Sequence, residues 1–140
     1  MLGGVLIDYP FGLEAHSDGD VLIHSIIDAL LGSLTLGDIG SIFPSEDASL
    51  RGISSMELLK RVDKLREESN WQVSHVDATI IAQKPALSPY IMDMRKNIDS
   101  VLSIGLGSIN IKATTTDYLG FIGQEQGIAA MAVVTINRTQ

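Results

Sequence analysis

Asp18-Gly19-Asp20-Val21-Leu22-Ile23-His24-Ser25-Ile26-Ile27-Asp28-Ala29-Leu30-Leu31-Gly32-Ser33-Leu34-Thr35-Leu36 is the stretch on which the fold turns. It reads as a helix, with Ser17 or Asp18 as its cap and Gly37 as its end. Val21, Leu22, Ile23, Ile26, Ile27, Leu30, Leu31 and Leu34 fall nearly all round it, and a helix apolar on every side is buried. The rest of the chain must therefore wrap it. Upstream, Val5, Leu6 and Ile7 predict a short strand closed by Pro10 and Gly12. Downstream, Gly37 to Gly52 reads as a long loop, a kind that is often functional in a compact domain.

Beyond that loop, Ser54 and Glu57 form a capping-box pattern. The helix they open carries Leu58, Leu59, Val62 and Leu65 on one face and ends near Asn70. Val73 to Gln83 reads as a strand. Ser88-Pro89 predicts a cap and first turn for a helix bearing Ile91, Met94, Ile98 and Val101. Ile109, Ile111 and Ala113 alternate with Asn110, Lys112 and Thr114, which predicts a strand with one polar face. Gly127 to Asn137 reads as a last strand. The order β-α-α-β-α-β-β predicts an α/β chain of the α+β type: a single domain with helices on one face of a mixed β-sheet.

Composition narrows the function. A length of 140 residues fits one domain. No apolar run approaches the roughly 18 residues of a membrane helix, and Met1 to Leu6 lack the basic start of a signal peptide. There are no cysteines, so disulfides and thiolate metal sites are excluded, in keeping with a cytoplasmic location. The net charge of -7 argues against nucleic acid, whose binding relies on Lys and Arg. Aromatic residues, 5% of the chain, are too few for a base-stacking platform.

Three clusters are candidates for chemistry. Asp20, His24 and Asp28, at i, i+4 and i+8, make one polar stripe on the apolar helix. Left unpartnered in the interior, each group would cost roughly 2–7 kcal/mol. A metal ion held by His24 would satisfy the stripe; so would a plain hydrogen-bonded core histidine between two carboxylates. His16 and Ser17, at the helix start, suit an anion or simple capping. Thr114-Thr115-Thr116-Asp117 follows a strand, where hydroxyls can hold phosphate oxygens and Asp117 can offer magnesium a hard oxygen; a plain strand-to-turn transition is the alternative. Ala82-Gln83-Lys84-Pro85-Ala86-Leu87-Ser88-Pro89 is a rigid loop suited to reading a base edge, or an ordinary connection.

The order of the motifs is more specific than any one of them. His16 to Asp20, Leu36-Gly37-Asp38-Ile39-Gly40, Phe43-Pro44, Asp77 to Gln83, Lys112 to Thr116, Leu119-Gly120-Phe121 and Glu125 to Ala129 together resemble the 2-C-methyl-D-erythritol 2,4-cyclodiphosphate synthase family, from about Gly3 to the C-terminus. The resemblance implies an enzyme of the non-mevalonate isoprenoid route. It would convert 4-diphosphocytidyl-2-C-methyl-D-erythritol 2-phosphate to the cyclic diphosphate and release CMP, as a homotrimer with sites between subunits. It implies a zinc ion and a magnesium or manganese ion. His24 matches a zinc ligand, Asp117 the magnesium-binding position, and His16 and Thr115 the residues that aid the transition state. Ser17 matches a phosphate or methylerythritol contact, and Asp38 and Gly40 contacts to ribose and methylerythritol. Phe43, Pro44 and Asp47 fall in the substrate loop. Ala82, Gln83, Lys84, Pro85, Ala86, Leu87 and Ser88, with Thr114 and Thr116, match the cytidine pocket; Phe121 and Gln124 also match the substrate site.

Departures from the pattern set further expectations. The family's other two zinc ligands, an Asp-x-His pair on an N-terminal strand, belong before Gly3, where this chain has Met1 and Leu2. Asp117 replaces a glutamate, Gln124 a common arginine and Ala86 a common lysine. The chain is then read as a shortened form of a working enzyme, with weak zinc binding as it stands. The alternatives are a decayed homologue that binds a cytidine nucleotide or isoprenoid without turnover, and an acidic oligomeric binding protein with no metal chemistry. A lost N-terminal extension would leave a plastid location open.

Overall fold

The computed structural model describes residues 1–10 and 18–139. Helix α1 spans Val21–Ser33, the short α2 spans Ile39–Ile42, and α3 spans Ser55–Glu68. Strand β1 (Trp71–Ile81) follows, then α4 (Ile91–Leu102), β2 (Ile109–Thr114), the short α5 (Gly120–Gly123) and β3 (Ala129–Arg138). The sheet runs β2-β1-β3. β2 is parallel to β1, with Val76 opposite Ile109 and Ile81 opposite Thr114. β3 is antiparallel, with Trp71 opposite Arg138. The sheet is thus mixed, as the element order predicts.

α1 packs on β3 and β1, α4 on β2, and α3 against both helices. Leu22, Ile23, Ile26, Ile27, Leu30 and Leu31 are fully buried between these layers. Each contributes roughly 1.5–3 kcal/mol of apolar burial, so this helix is the centre of the core. The other sheet face carries His75 and Asp77, Asn110 and Lys112, and Met131 and Val133. There Asp77 accepts from Lys112 Nζ at 2.6 Å and from Asn110 Nδ2 at 3.1 Å. These contacts, Lys112 first, hold the Asp77 carboxyl below its usual range.

Several boundaries differ from the reading of the sequence. No strand forms at Val5–Ile7. Leu2 and Val5 exchange two backbone hydrogen bonds of 2.9 Å around Gly3-Gly4, and Leu6 is 78% exposed. Both glycines have positive φ, so the chain turns tightly at once. α1 starts later than expected, because Gly19 also has positive φ and Asp20, not Asp18, is the cap. Ser54 does cap α3, but Glu57 lies 3.6 Å from Arg61 on the next turn. Ser88-Pro89 opens a short 3-10 turn ahead of α4 and caps nothing by its side chain. The Gly37–Gly52 loop contains α2 and a 3-10 turn at Ala48–Leu50.

Candidate active site

β1 and β2 are parallel, so their carboxyl ends open on the same side, where α/β sheets commonly bind ligands. Ala82 N donates to Thr114 O at 2.9 Å and extends the pairing one residue past β1. The chain then leaves the sheet through Gln83, Lys84 and Pro85. A cavity of about 560 Å³ forms there, lined by Tyr9, Ala82, Gln83, Lys84, Pro85, Ala86, Leu87, Ser88, Ala113, Thr114 and Thr115. That volume suits a nucleotide-sized ligand. The fold therefore brings the expected base-reading loop and the first two threonines into one cavity.

Its rim is tied together by side chains. Gln83 Oε1 accepts from Tyr118 N at 2.9 Å, which joins the β1 exit to the turn after β2. Thr116 Oγ1 donates to Leu119 O at 2.7 Å, so this hydroxyl closes the turn, and Thr116 does not line the cavity. Asp117 is exposed at a φ of 53°, with its N–H on Thr115 Oγ1 at 3.3 Å. Lys84 Nζ stands 3.9 Å from Glu125 Oε1, and Tyr9 OH donates to the same oxygen at 3.3 Å. Phe121 and Gln124 are exposed in and just after α5, outside the cavity lining. Sequence reading missed Tyr9, which reaches the cavity across the fold and carries no local signal.

His24 sits in a second group. Its Nε2 is 2.8 Å from Ser55 Oγ, and the Ser55 hydroxyl makes a short hydrogen bond to Asp18 Oδ1. Asp18 also accepts from Ser55 N at 3.0 Å and from Asp20 N at 3.2 Å. Burial pushes the Asp18 carboxyl up, but the Ser55 hydroxyl, the two N–H groups and the nearby His24 outweigh it and hold the carboxyl below its usual range. The supposed polar stripe on α1 therefore splits three ways. Asp20 binds Gly3 N, Gly4 N and Ile23 N; His24 binds Ser55; Asp28 accepts from Ile39 N at 2.7 Å. Ser55 escaped the sequence reading because it lies a whole loop away from His24, and Asp18 reads there only as a helix cap and part of the His16 to Asp20 motif.

Asp28 anchors the segment that holds Asp38, Gly40, Phe43, Pro44 and Asp47. Asp38 caps α2 in a reciprocal box with Ser41, and Gly40 lies within α2. Asp47 caps the next turn through Ser49 N at 3.0 Å. These residues stand together on one exposed loop, and none lines the cavity. His16 and Ser17 lie outside the described residues.

The fit to metals is partial. Among the described residues, no three His, Asp or Glu side chains gather closely enough to hold an ion. His24 supplies a single imidazole and Asp117 a single exposed carboxylate, so neither expected site is assembled from described residues alone. No helix of the described residues is long and apolar enough to cross a membrane.

A mixed sheet under three main helices, with a cavity at the ends of its parallel strands, defines an α+β fold with room for a small molecule. The chain belongs to the YgbB family, whose model matches residues 1–137. It is 53% identical over 133 residues to a Clostridium acetobutylicum protein named 2-C-methyl-D-erythritol 2,4-cyclodiphosphate synthase, covering 95% of this chain and 86% of that one. The bifunctional IspDF of Campylobacter jejuni superposes with a TM-score of 0.96 at 41% identity; all of this chain aligns with 38% of that longer one. A Plasmodium falciparum IspF in complex with CDP superposes with a TM-score of 0.88 at 34% identity, covering 99% of this chain and 83% of that one. Metal dependence goes with the family.

Proposed function

We propose that this protein is a cyclodiphosphate synthase acting on 4-diphosphocytidyl-2-C-methyl-D-erythritol 2-phosphate. The observation that carries the reading is the single cavity shared by the Ala82–Ser88 loop and Thr114-Thr115. An oxygen of the 2-phosphate attacks the β-phosphorus. The β-phosphorus–oxygen bond to the α-phosphate breaks, and CMP leaves with that oxygen. Such a transfer needs positioning and charge neutralisation more than covalent help. Backbone groups of Ala82 to Ser88 hold the cytosine, Thr114, Thr115 and Ser17 meet phosphate oxygens, and His16 and Thr115 steady the transition state. Asp38, Gly40, Phe43, Pro44 and Asp47, with Phe121 and Gln124, enclose the sugar and methylerythritol. Zinc, with His24 as one ligand, and magnesium or manganese at Asp117 would neutralise phosphate charge. Relatives about half identical over nearly the whole chain carry the synthase name, which favours the enzyme over a non-catalytic homologue.

Incubation with that substrate, zinc and magnesium should release CMP and the cyclic product together. Calorimetry should show CDP binding roughly tenfold or more tighter than UDP, since a mispaired base edge costs about 1–3 kcal/mol. Equal, weak binding of the two nucleotides would oppose a cytosine-reading pocket, and absence of CMP release would oppose the activity.

The working form in this reading is a homotrimer in the cytoplasm. Met131 and Val133, 68% and 65% exposed on the open sheet face, support an interface there. No residue of the His24 group lines the cavity, which supports a site completed between chains. Sedimentation equilibrium should give three chain masses; a monomer at micromolar concentration would remove the trimer. The cytoplasmic location rests on bacterial relatives, and recovery in the membrane fraction would oppose it.

A further inference from the structure

The geometry assigns Ser55 and Asp18 as positioning residues that fix the neutral His24 ring in its Nε2–H form, leaving the ring's electron pair on Nδ1.

Proton bookkeeping leads there. Asp18 takes three donors: Ser55 N on Oδ2 at 3.0 Å, and Asp20 N (3.2 Å) with the Ser55 hydroxyl on Oδ1. Two of the three are backbone N–H groups, which can only donate, so Asp18 acts as an acceptor-only carboxylate. The Ser55 hydroxyl has one proton, and this contact uses it. Ser55 Oγ then meets His24 Nε2, 2.8 Å away, only as an acceptor. The proton between them belongs to Nε2, and a neutral imidazole so protonated carries its electron pair on Nδ1. Ser55 is fully buried at the start of α3, so bulk water does not easily rearrange the chain of bonds. The backbone enforces it as well, because Ser55 N grips the same carboxylate as its own hydroxyl.

A metal-ligating histidine ordinarily donates its other nitrogen to an orienting group, and this relay is such a group in serine–carboxylate form. That consequence rests on the reading of His24 as a zinc ligand; the protonation of the ring does not.

Two variants separate the relay from a merely structural contact. Ser55→Ala removes the hydroxyl and keeps the backbone N–H on Asp18. Asp18→Asn does more. Its oxygen should keep the 3.0 Å bond from Ser55 N in preference to the longer 3.2 Å bond from Asp20 N, which turns the amide NH2 toward Ser55 Oγ. Ser55 must then donate to His24 Nε2, and the ring proton moves to Nδ1. Long-range 1H–15N spectra of the chelator-treated full chain, at mildly alkaline pH where imidazole is ordinarily neutral, read this directly. The expected result is Nε2 protonated and Nδ1 unprotonated in the parent protein, the reverse in Asp18→Asn, and in Ser55→Ala a shifted Nε2 signal as its hydroxyl partner is lost. A parent ring protonated on Nδ1, or an unchanged ring in both variants, overturns the relay. Zinc uptake, measured by competition with a chelating dye, should weaken about 10- to 100-fold in Asp18→Asn. Ring protonation as expected in a parent protein that takes up no zinc would remove the metal reading of His24 and leave the relay standing.

Discussion

Asp20→Ala is expected to remove about 3 kcal/mol or more of folding stability. The carboxylate is 0% exposed. Its Oδ1 accepts from Gly3 N at 2.9 Å and Ile23 N at 3.1 Å, and its Oδ2 from Gly4 N at 2.8 Å. One group thus caps α1 and pins the N-terminal turn. Loss of a cap costs about 1 kcal/mol, and each buried donor left unpaired about 1–3 kcal/mol. Against a total of roughly 5–15 kcal/mol that is a severe loss. The turn is tightly packed, since a Cβ on Gly3 would lie 2.6 Å from Met94 Cβ. The turn must stay where it is with its N–H groups unpaired. Asp20→Asn should fall between the two: its oxygen can serve Gly3 and Ile23, while its NH2 opposes Gly4 N. Urea unfolding of the three proteins gives the order, and a loss below about 1 kcal/mol for Asp20→Ala would show that the turn is not held this way. His24 N donates to Asp20 O at 3.0 Å, so loosening the cap also loosens the turn that carries His24.

This example also marks how far the sequence could be read. The apolar wrap of α1 announced a buried helix, since such a pattern has no other stable outcome in water. Alternation in β2 and helical spacing in α3 and α4 did the same for the layers around it. The stripe of Asp20, His24 and Asp28 announced that polar groups needed partners, and left open a metal ion or a core histidine hydrogen-bonded between the two carboxylates. The fold supplies three partners, from the N-terminal turn, from α3 and from α2. Those contacts span 16 or 17, 31 and 11 residues, and no local spacing encodes them. The expected first strand failed for a related reason: Val5 to Ile7 have strand propensity, but the turn at Gly3-Gly4 is fixed by Asp20 instead. The cavity was legible because its two motifs sit at the ends of strands that must pair in parallel across α4. Tyr9, reaching it from the other end of the chain, was not.

Gly123→Ala should cut CMP release by about a hundredfold while leaving most of the domain folded. Gly123 ends α5, and a Cβ there would sit 2.2 Å from the carbonyl carbon of Tyr118, and 2.7 Å from its Cα and O. These are backbone atoms, so no rotamer change relieves the clash; either α5 or the 117–119 segment must move by about an ångström to restore contact near 3.5 Å. That segment is already constrained. Asp117 and Tyr118 have φ of 53° and 67°, Tyr118 N is held by Gln83, and Thr116 closes on Leu119. Displacement would carry Asp117 off its position and break the tie to the cavity rim, and a shift of about 1 Å at a reacting centre can cost on the order of a hundredfold in rate. Overpacking adds a stability loss of about 1–3 kcal/mol, which a domain of this kind survives. Gly32→Ala is the matched control. It lies in α1, its Cβ would meet nothing within 4 Å, and alanine there should be neutral or stabilise by about 0.5–1 kcal/mol. Steady-state CMP release with thermal unfolding of both variants decides the matter. Turnover within a few-fold of the parent in Gly123→Ala would mean that the Asp117 turn is not part of the reacting site, and the magnesium reading of Asp117 would fall with it.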